Sequence, residues 1–556
     1  MAEANKIDSN VTNARIAEET TLGVLPSSPV WYDLEPNTYA DFGSNLTLVA
    51  RNPISARRKR KKGVITDLDA SGGFNQDLTF TNISALWPGL FLSQKRQKTS
   101  FLSDGTGVSS PINGVDGVNN QFDLDKDQTT AIRAGDIVFA TGFGVAGNNG
   151  LHVVSAVAFS TGVTTVTVGS TLTDETTAPD GARLRIVGFQ FADGEADITA
   201  TAGSLPVLTA ASKTMSELGL RAGEFVFLGA DTATTRYSNA QNNGFARIES
   251  IGTNTLTFDK TSGGSDGVTE MTDETVAGGT TIQIFFGDIV RDEDSDDALF
   301  DRQTYTIERR LGVANPTSQP NAIQSEALIG SVLNEFAFNI PQADKITLDF
   351  TFLSTDNQQR DGLTAVQRGS GVDELPLSNT GTVATVEAAT AYNTSSDFSR
   401  IKLAVVRPTQ AGAANKAAPI PLFSFVTEVT LNFNNNGTTN KAVGRLGAFD
   451  VTAGTFTASG SITAYFADIN SVKAVRNNED VTLDIAIVKD FGTGMEARKT
   501  GLVWDIPLIA LGDGRLNVVQ DEAITLPLTT EGAEYEPFGH TVMLHEFYYL
   551  PNAADT

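Results

Sequence analysis

A run of six consecutive cations is the residue group whose chemistry is easiest to name: Arg57, Arg58, Lys59, Arg60, Lys61 and Lys62. Such a run can contact nucleic-acid phosphates, act as a nuclear signal or dock against the carboxylates of a protein partner. It can also be a plain solvated loop. The rest of the chain is acidic and compensates its charge.

Two further motifs fail because of their context. Residues 142–147 match G-x-G-x-x-G, but a dinucleotide site needs a helix to follow, and here Asn148-Asn-Gly and a strand pattern follow instead. Residues 123–127 have the opening spacing of a calcium loop. Gln128 then replaces the required Gly, and Ala134 replaces the bidentate Glu. We interpret the first motif as a turn and the second as a failed match to a calcium loop.

Enzyme chemistry has little support. The imidazoles are His152, His540 and His545, and no nucleophile elbow is present. His152 falls at a repeat position that Ala246 occupies in the sister copy, which argues against a required role. The acidic run at 292–297 could hold a cation weakly, but such runs are usually solvated. We therefore expect no enzyme, no cofactor and no metal site.

Composition limits the possible partners. The chain has 556 residues, with 40 Lys+Arg against 66 Asp+Glu and a formal net charge of -26, so its body should repel nucleic acid. A hydrophobic content of 40% indicates a globular chain, and zero Cys excludes disulfides and thiolate chemistry. The N-terminus lacks the apolar core of a secretion signal, and no apolar run approaches the roughly 18 residues that span a bilayer. We expect no membrane partner.

Most of the sequence alternates apolar and polar residues in short runs between Gly, Asn, Asp and Thr, which predicts a mostly β fold. Lys345-Ile-Thr-Leu-Asp-Phe-Thr-Phe is a clear example. Short helices are predicted in two places. The first runs from Asn82 to Leu92, opened by an Asn cap and interrupted by Pro88, and the second lies near 469–476.

An internal repeat of about 90 residues occupies the middle of the chain. Its matching pairs, in order, are Arg133-Ala-Gly-Asp-Ile-Val-Phe with Arg221-Ala-Gly-Glu-Phe-Val-Phe, Asn148-Asn-Gly with Asn242-Asn-Gly, and Thr173-Asp-Glu-Thr with Thr272-Asp-Glu-Thr. Each copy has the pattern of several strands joined by an Asn-Gly turn and by further turns. This number of strands is enough for a small β-barrel or sandwich. The repeat predicts two tandem β-modules.

A fainter repeat flanks these modules. Two strands around a polar loop recur on either side of the modules, each followed by a short helix and a later strand pair. This repeat predicts a duplicated β fold that the modules interrupt. The expected divisions are 1–104 and 296–360 for the first half of the duplicated fold, 105–200 and 201–295 for the modules, 361–420 for a surface linker, and 421–556 for the second half.

Four segments spread over both halves carry a family resemblance: Arg15-Ile-Ala-Glu-Glu-Thr-Thr-Leu-Gly-Val-Leu-Pro, Asp69-Ala-Ser-Gly-Gly-Phe-Asn-Gln-Asp-Leu, Gly330-Ser-Val-Leu-Asn-Glu-Phe-Ala-Phe-Asn-Ile-Pro and Phe456-Thr-Ala-Ser-Gly-Ser-Ile-Thr-Ala-Tyr-Phe. Together they resemble the tail tube (major tail) proteins of long-tailed bacteriophages. The Asn-Asn-Gly-Phe module is similar to accessory domains, Ig-like or other small β-domains, inserted into such proteins. The resemblance implies a β-sandwich or barrel tube domain with a flanking helix, assembled as stacked rings around a channel.

Family rings are typically sixfold, so the duplication predicts a trimer that acts as a pseudo-hexamer. The run Arg57 to Lys62 would then be the loop that docks on the next ring, and inward carboxylates would let phage DNA pass without specific binding. Expected partners are further copies of the chain, the tape measure, tail terminator and tail-tip proteins, and a host surface contacted by the modules. The expected location is the virion tail, favoured as non-contractile (siphovirus), with assembly in the host cytoplasm.

Aromatic side chains near the chain ends are candidates for arms that clasp neighbouring subunits, because buried aromatics dominate interface energies. These are Trp31, Tyr32 and Tyr535, which could equally cover their own domain. The alternative functions are a tail-tip or baseplate component, which would cap a tube without polymerising, and a β-repeat surface-binding protein.

Overall fold

The computed structural model describes residues 7, 9–51, 54, 61–81, 83–107, 109–201, 204–261, 271–312, 323–362, 374–384, 390–405, 420–421, 425–466 and 469–555. The described chain is mostly β, as predicted, with 33 strands and two α-helices. No helix within these ranges is long and apolar enough to cross a membrane.

The strands fall into three stretches of the sequence. The first four strands are β1 (Asn13–Glu18), β2 (Val30–Leu34), β3 (Pro36–Arg51) and β4 (Lys61–Asp77). The middle strands are β5 (Ser100–Asp104), β6 (Ile112–Asp116), β7 (Gln121–Asp125), β8 (Asp136–Thr141), β9 (Gly150–Ser160), β10 (Val163–Val168), β11 (Asp180–Gln190), β12 (Asp197–Thr199), β13 (Val207–Thr209), β14 (Phe225–Leu228), β15 (Gly244–Ile251), β16 (Thr255–Thr261) and β17 (Gln283–Phe285). The last strands are β18 (Asp288–Arg291), β19 (Tyr305–Gly312), β20 (Gln324–Ile340), β21 (Thr347–Ser354), β22 (Asp356–Arg360), β23 (Thr382–Val383), β24 (Phe398–Val405), β25 (Ile420–Pro421), β26 (Val426–Asn434), β27 (Thr438–Lys441), β28 (Ala448–Thr452), β29 (Thr457–Tyr465), β30 (Val481–Phe491), β31 (Arg498–Asp513), β32 (Thr525–Gly532) and β33 (Met543–Leu550).

The two α-helices are α1 (Trp87–Phe91) and α2 (Asn470–Asn477). Helix α1 is shorter than predicted, and Pro88 lies in its first turn instead of interrupting it, because a proline there loses no intrahelical hydrogen bond. Asn82, the predicted cap, lies outside the described residues. The second helix lies within one residue of its predicted ends.

One large sheet unites strands from both ends of the chain. Within the described ranges it holds 18 strands, β1–β4, β18–β26 and β29–β33, while β27 and β28 form a separate hairpin. Its core is rich in aromatic rings, with Trp504 packed 5.4 Å from the ring of Trp87 and 5.8 Å from that of Phe336. Strand β24 lies inside the stretch expected to be a linker. It pairs with β30 and buries Leu403, one of its alternating apolar residues.

The middle strands form a second sheet with its own core. The strand order β11-β8-β9-β10-β7-β6 in its first part is repeated as β17-β14-β15-β16-β13-β12 in its second part. The two parts meet where β11 and β17 pair antiparallel, Phe189 opposite Ile284. The segment also leaves and rejoins the first sheet at one place, because Arg96 and Ile289 exchange backbone hydrogen bonds of 2.8 and 3.1 Å.

Within each copy of the middle repeat, hydrogen bonds join the Asn-Asn-Gly motif to the Thr-Asp-Glu-Thr motif, and we call this arrangement the clamp. In the first copy the buried Asn148 donates to Thr173 O at 2.9 Å and to Glu175 at 3.0 Å, and its Oδ1 accepts from Thr173 N at 2.9 Å. The second copy repeats each bond with Asn242, Thr272 and Glu274. The repeat therefore has a structural role: it ties one loop to the next.

Removing one clamp should destabilise the second sheet. Asn148→Ala deletes three hydrogen bonds of a buried side chain and leaves the N–H and C=O of Thr173 without that partner, so we expect the free energy of unfolding to fall by about 3 kcal/mol. Urea unfolding of unassembled chains measures this. The control is Asn119→Ala, an exposed amide, which should cost less than about 1 kcal/mol. Equal losses in the two variants would contradict the clamp.

Buried ion pairs hold the second sheet against the first. Arg247 of β15 contacts Asp259 of β16 at 2.8 Å and Asp505 of β31 at 3.0 Å, and all three side chains are at most 1% exposed. Lys260 of β16 pairs with Asp484 of β30 beside them. Burial by itself lowers the pKa of Arg247, but the two carboxylates raise it by more, so the guanidinium stays charged. The contact between the sheets therefore places two cations against three carboxylates.

The same interface contains a neutral imidazole. Nε2 of His545 accepts a hydrogen bond from Phe225 N at 2.9 Å, so Nδ1 carries the proton and donates to Val503 O at 3.2 Å. Burial lowers the pKa of His545 to about 3. This residue links the two sheets and has no free nitrogen for catalysis.

Candidate assembly surface

The first sheet contains one strand order twice. In its first half, β3, β4, β21 and β20 lie side by side in that order; in its second half, β26, β29, β32 and β31 do the same. The outer strands correspond as well. Strand β20 pairs with β19 and β22, as β31 pairs with β30 and β33, while β19 pairs with β1 as β30 pairs with β24.

The two halves are joined by a strand seam. The end of β20 pairs antiparallel with β26, from Glu335 opposite Asn434 to Ile340 opposite Val429. The Asn434 amide also donates to Glu335 Oε1 at 3.0 Å. The last strand of one half thus pairs with the first strand of the next, and eight strands run as one sheet.

In the described part of the chain, the outer strands of this eight-strand sheet, β3 and β31, lack the neighbour that the seam gives to the equivalent strands β26 and β20. Within the described part of the chain, β3 pairs only with β4, and 510–513 of β31 pair only with β32. Ala533 N donates to Leu508 O and Gly514 N to Pro527 O. Because antiparallel ladders alternate, the N–H of Leu511 points away from β32. The described chain therefore presents one free edge on β3, the equivalent of β26, and one on β31, the equivalent of β20.

One face of the eight-strand sheet is apolar and the other is acidic. The apolar face buries alternate residues such as Phe350 and Leu431. The opposite face of β4, β21, β20, β26, β29 and β32, over 70–77, 335–340, 347–354, 426–434, 457–465 and 525–532, carries five carboxylates and no Lys or Arg: Asp77, Glu335, Asp349, Glu428 and Glu531. Strand parity places them all on one side.

Amide side chains order this acidic face. Asp349 accepts from Asn75 at 2.7 Å and from Asn339 at 2.8 Å, which makes a row across three neighbouring strands. Lys345, just before β21, pairs with Asp77 at 2.8 Å. Sequence reasoning did not identify these carboxylates, although the alternation of each strand contains the signal once its buried parity is known.

Strands β3 and β4 continue past the sheet as a hairpin arm, defined by 45–51 and 61–69. These residues pair with each other, whereas β4 pairs with β21 only over 70–77. At about 3.4 Å per residue the β3 side of the arm extends roughly 20 Å. Of the basic run, Lys61 and Lys62 are exposed on the arm. Arg57, Arg58, Lys59 and Arg60 lie outside the described residues.

The corresponding loop of the second half folds differently. Residues 435–456 contain the β27·β28 hairpin, which lies back on the first half. Lys441 on this hairpin binds Asp67 at 2.6 Å and also Asp69, both on β4. Of these two corresponding loops, the described residues show the first as an extended arm and the second as folded back.

The predicted clasping aromatics lie in different surroundings. Trp31 is fully buried within its own chain, where its indole N–H donates to Thr380 O at 2.9 Å. Tyr32 and Tyr535 are half-buried, and Tyr535 packs on Phe538 with ring centroids 4.8 Å apart. The structure does not bring the three together.

The remaining motifs are occupied by contacts within the chain. Gly144 N and Val145 N of the G-x-G-x-x-G segment donate to Glu175, and strand β9 follows the motif. Asp292 of the acidic run accepts from Thr541 N and Val542 N, and burial raises its pKa to about 6. Within the described ranges no three His, Asp or Glu side chains gather where they could hold a metal ion.

Comparison with known proteins identifies the family of this chain. No curated protein matches the chain. The family model described as phage tail tube protein matches residues 9–532, which include every strand from β1 to β32. The chain therefore belongs to the phage tail tube protein family.

Proposed function

We propose that three copies of this chain close into a ring with six tube halves, and that stacked rings conduct phage DNA. The family assigns a structural role in the virion tail, where the protein assembles into a tube with other tail proteins. The seam between β20 and β26 is the observation that carries the ring proposal. It pairs the last strand of one half with the first strand of the next, and the free edges of β31 and β3 are the equivalent strands.

Closing the ring would satisfy both free edges. An exposed strand edge is a site of uncontrolled pairing, and a closed barrel removes it. The edge of β31 in one chain would pair with β3 of the next chain, as β20 pairs with β26 within the chain. Three such contacts would continue one antiparallel sheet around the ring.

The acidic face would then line the channel. Its five carboxylates repel the phosphates of DNA, whereas Lys or Arg at these positions would bind them through counterion release. DNA would slide past the wall without specific binding. The second sheet would lie outside the tube as two inserted modules, available to a host surface, in a non-contractile tail assembled in the host cytoplasm.

The mass of the smallest ring tests the duplication. Purified chain at high concentration should give rings of three times the 58.9 kDa chain mass, and negative-stain images should show tubes built from them. Rings of six chains would support the tube function and refute the pseudo-hexamer. Chains that stay monomeric without a tube would favour the alternative of a tail-tip or baseplate component.

A further inference from the structure

Lys260 is a buried amine in direct contact with a carboxyl group. Its Nζ atom contacts Oδ1 of Asp484, and the two side chains are 1% and 0% exposed. Lys260 belongs to β16 of the second sheet and Asp484 to β30 of the first, so the contact joins the two sheets. Burial lowers the pKa of this amine. A lysine whose neutral form is favoured in this way is a nucleophile.

The hydroxyl of Thr482 fixes the position of the amine. Lys260 Nζ donates to Thr482 Oγ1 at 3.2 Å, and Nη1 of Arg247 donates to the same oxygen at 3.2 Å. The hydroxyl in turn donates to Ile506 O at 3.2 Å. Alternate residues of a strand share a face, so Thr482 and Asp484 lie on the same side of β30. The amine is therefore held against the carboxyl group of Asp484.

A second carboxyl group lies beside the first. Asp505 of β31 is the partner of Asp484 in the pairing of β30 with β31, so their side chains share a face with Cβ atoms about 5 Å apart. Asp505 is fully buried, and burial raises its pKa although Arg247 opposes the change. A carboxylic acid in this position can carry a proton between the amine and Asp484.

The charges of this site favour the uptake of a proton. Among the described side chains, the cations Arg247 and Lys260 face three carboxyl groups, those of Asp259, Asp484 and Asp505. A net charge is costly in a buried site, and one added proton neutralises the group. That proton supplies the acid that amide formation from a carboxyl group requires.

We propose that Lys260 and Asp484 form an isopeptide bond within the folded chain. The neutral Nζ attacks Cγ of the protonated Asp484, so an N–C bond forms and one C–O bond then breaks. The nitrogen loses a proton, Asp505 carries it to the departing hydroxyl, and water leaves. An amine and a carboxylic acid thus give one amide and one water, with no oxidation or reduction and no further reactant.

The bond would attach the second sheet covalently to the first. The two sheets would stay joined when the ion pairs and apolar contacts between them open, because the amide does not depend on those contacts. The burial of both partners withholds the water that would hydrolyse the product. The inference goes beyond the proposed function and does not depend on ring assembly, since every group in it belongs to one chain.

Mass spectrometry of the unassembled, denatured chain tests the bond. The natural chain should weigh less than its sequence requires by the mass of one water. Trypsin does not cleave after an acylated lysine, so a digest should contain 248–291 linked to 477–489. A natural chain that shows cooperative thermal unfolding, but has the full mass and no linked peptide, overturns the proposal. Loss of water without the linked peptide overturns it as well.

Two variants test the chemistry. Lys260→Arg keeps a cation but lacks the nucleophile, because a guanidinium stays protonated, so its mass should equal that of its sequence. Asp505→Asn keeps the amine and the carboxyl group of Asp484 but removes the proton carrier. It should slow the linking at least about tenfold, measured by mass over a time course after synthesis. Loss of water in Lys260→Arg, or linking at the natural rate in Asp505→Asn, would overturn the proposed reaction.

Discussion

Leu511→Pro should keep the chain unassembled under conditions where the natural chain forms rings. The N–H of Leu511 points away from β32, on the free edge that we propose to pair with β3 of the next chain. Proline removes that donor and its ring obstructs an approaching strand, which is why proline is tolerated on sheet edges but not between strands. Sedimentation over a concentration series should show the half-assembly point raised at least about tenfold, or about 1.4 kcal/mol per contact.

The control keeps the backbone donor and loses the same side chain. Leu511→Ala should assemble within about threefold of the natural chain, because the seam uses main-chain groups. Thermal unfolding of both variants checks that each one folds. If Leu511→Pro forms rings as readily as Leu511→Ala, the free edge of β31 is not the ring contact.

Arg247→Ala should be the most destabilising single change among those considered. It leaves Asp259 and Asp505 buried without their counter-charge, and breaking a buried ion pair in this way costs about 3–5 kcal/mol. Urea unfolding, followed by hydrogen exchange in β15 and β16, should show the loss at the contact of the two sheets. Lys441→Ala, which removes a partly exposed pair, should cost less than about 1 kcal/mol.

A compensated variant distinguishes charge from packing. Arg247→Met with Asp259→Asn and Asp505→Asn removes all three charges and keeps similar volumes, so it should recover most of the lost stability. A triple variant as unstable as Arg247→Ala would show that the shape of the guanidinium, and not its charge balance, holds the sheets together.

The alternation of apolar and polar residues along the chain was enough to predict the β class. The recurrence of the Asn-Asn-Gly and Thr-Asp-Glu-Thr motifs revealed the internal repeat. The clamp of Asn148 on Glu175 explains why those motifs recur. The burial of Lys260 and Arg247 could not be predicted, because a cation in a strand of alternating polar and apolar residues normally points to solvent. Their partners Asp484 and Asp505 lie on distant strands of the other sheet. Local sequence does not report such long-range partners.

The assembly surface was predictable in part. The duplication of the fold predicted where one half should end, but the seam became visible only through the pairing of Glu335 with Asn434. Strand β24 was missed because its neighbours are rich in Ala, Thr and Gly, and its partner Ile485 is distant in sequence. The extended arm and the loop with the folded β27·β28 hairpin have similar lengths, and the folded one is held by tertiary contacts such as that of Lys441 with Asp67.

The bridge between Arg96 and Ile289 has an evolutionary consequence. A segment whose two ends are hydrogen-bonded neighbours can be gained or exchanged as a cassette by recombination, since its host strands need not move. Yet the cassette is not freely removable. Its loss in one step would expose the apolar residues of the first sheet that pack on it, among them Val488, Val503 and Phe547, so a lineage that drops it must make that face polar at the same time.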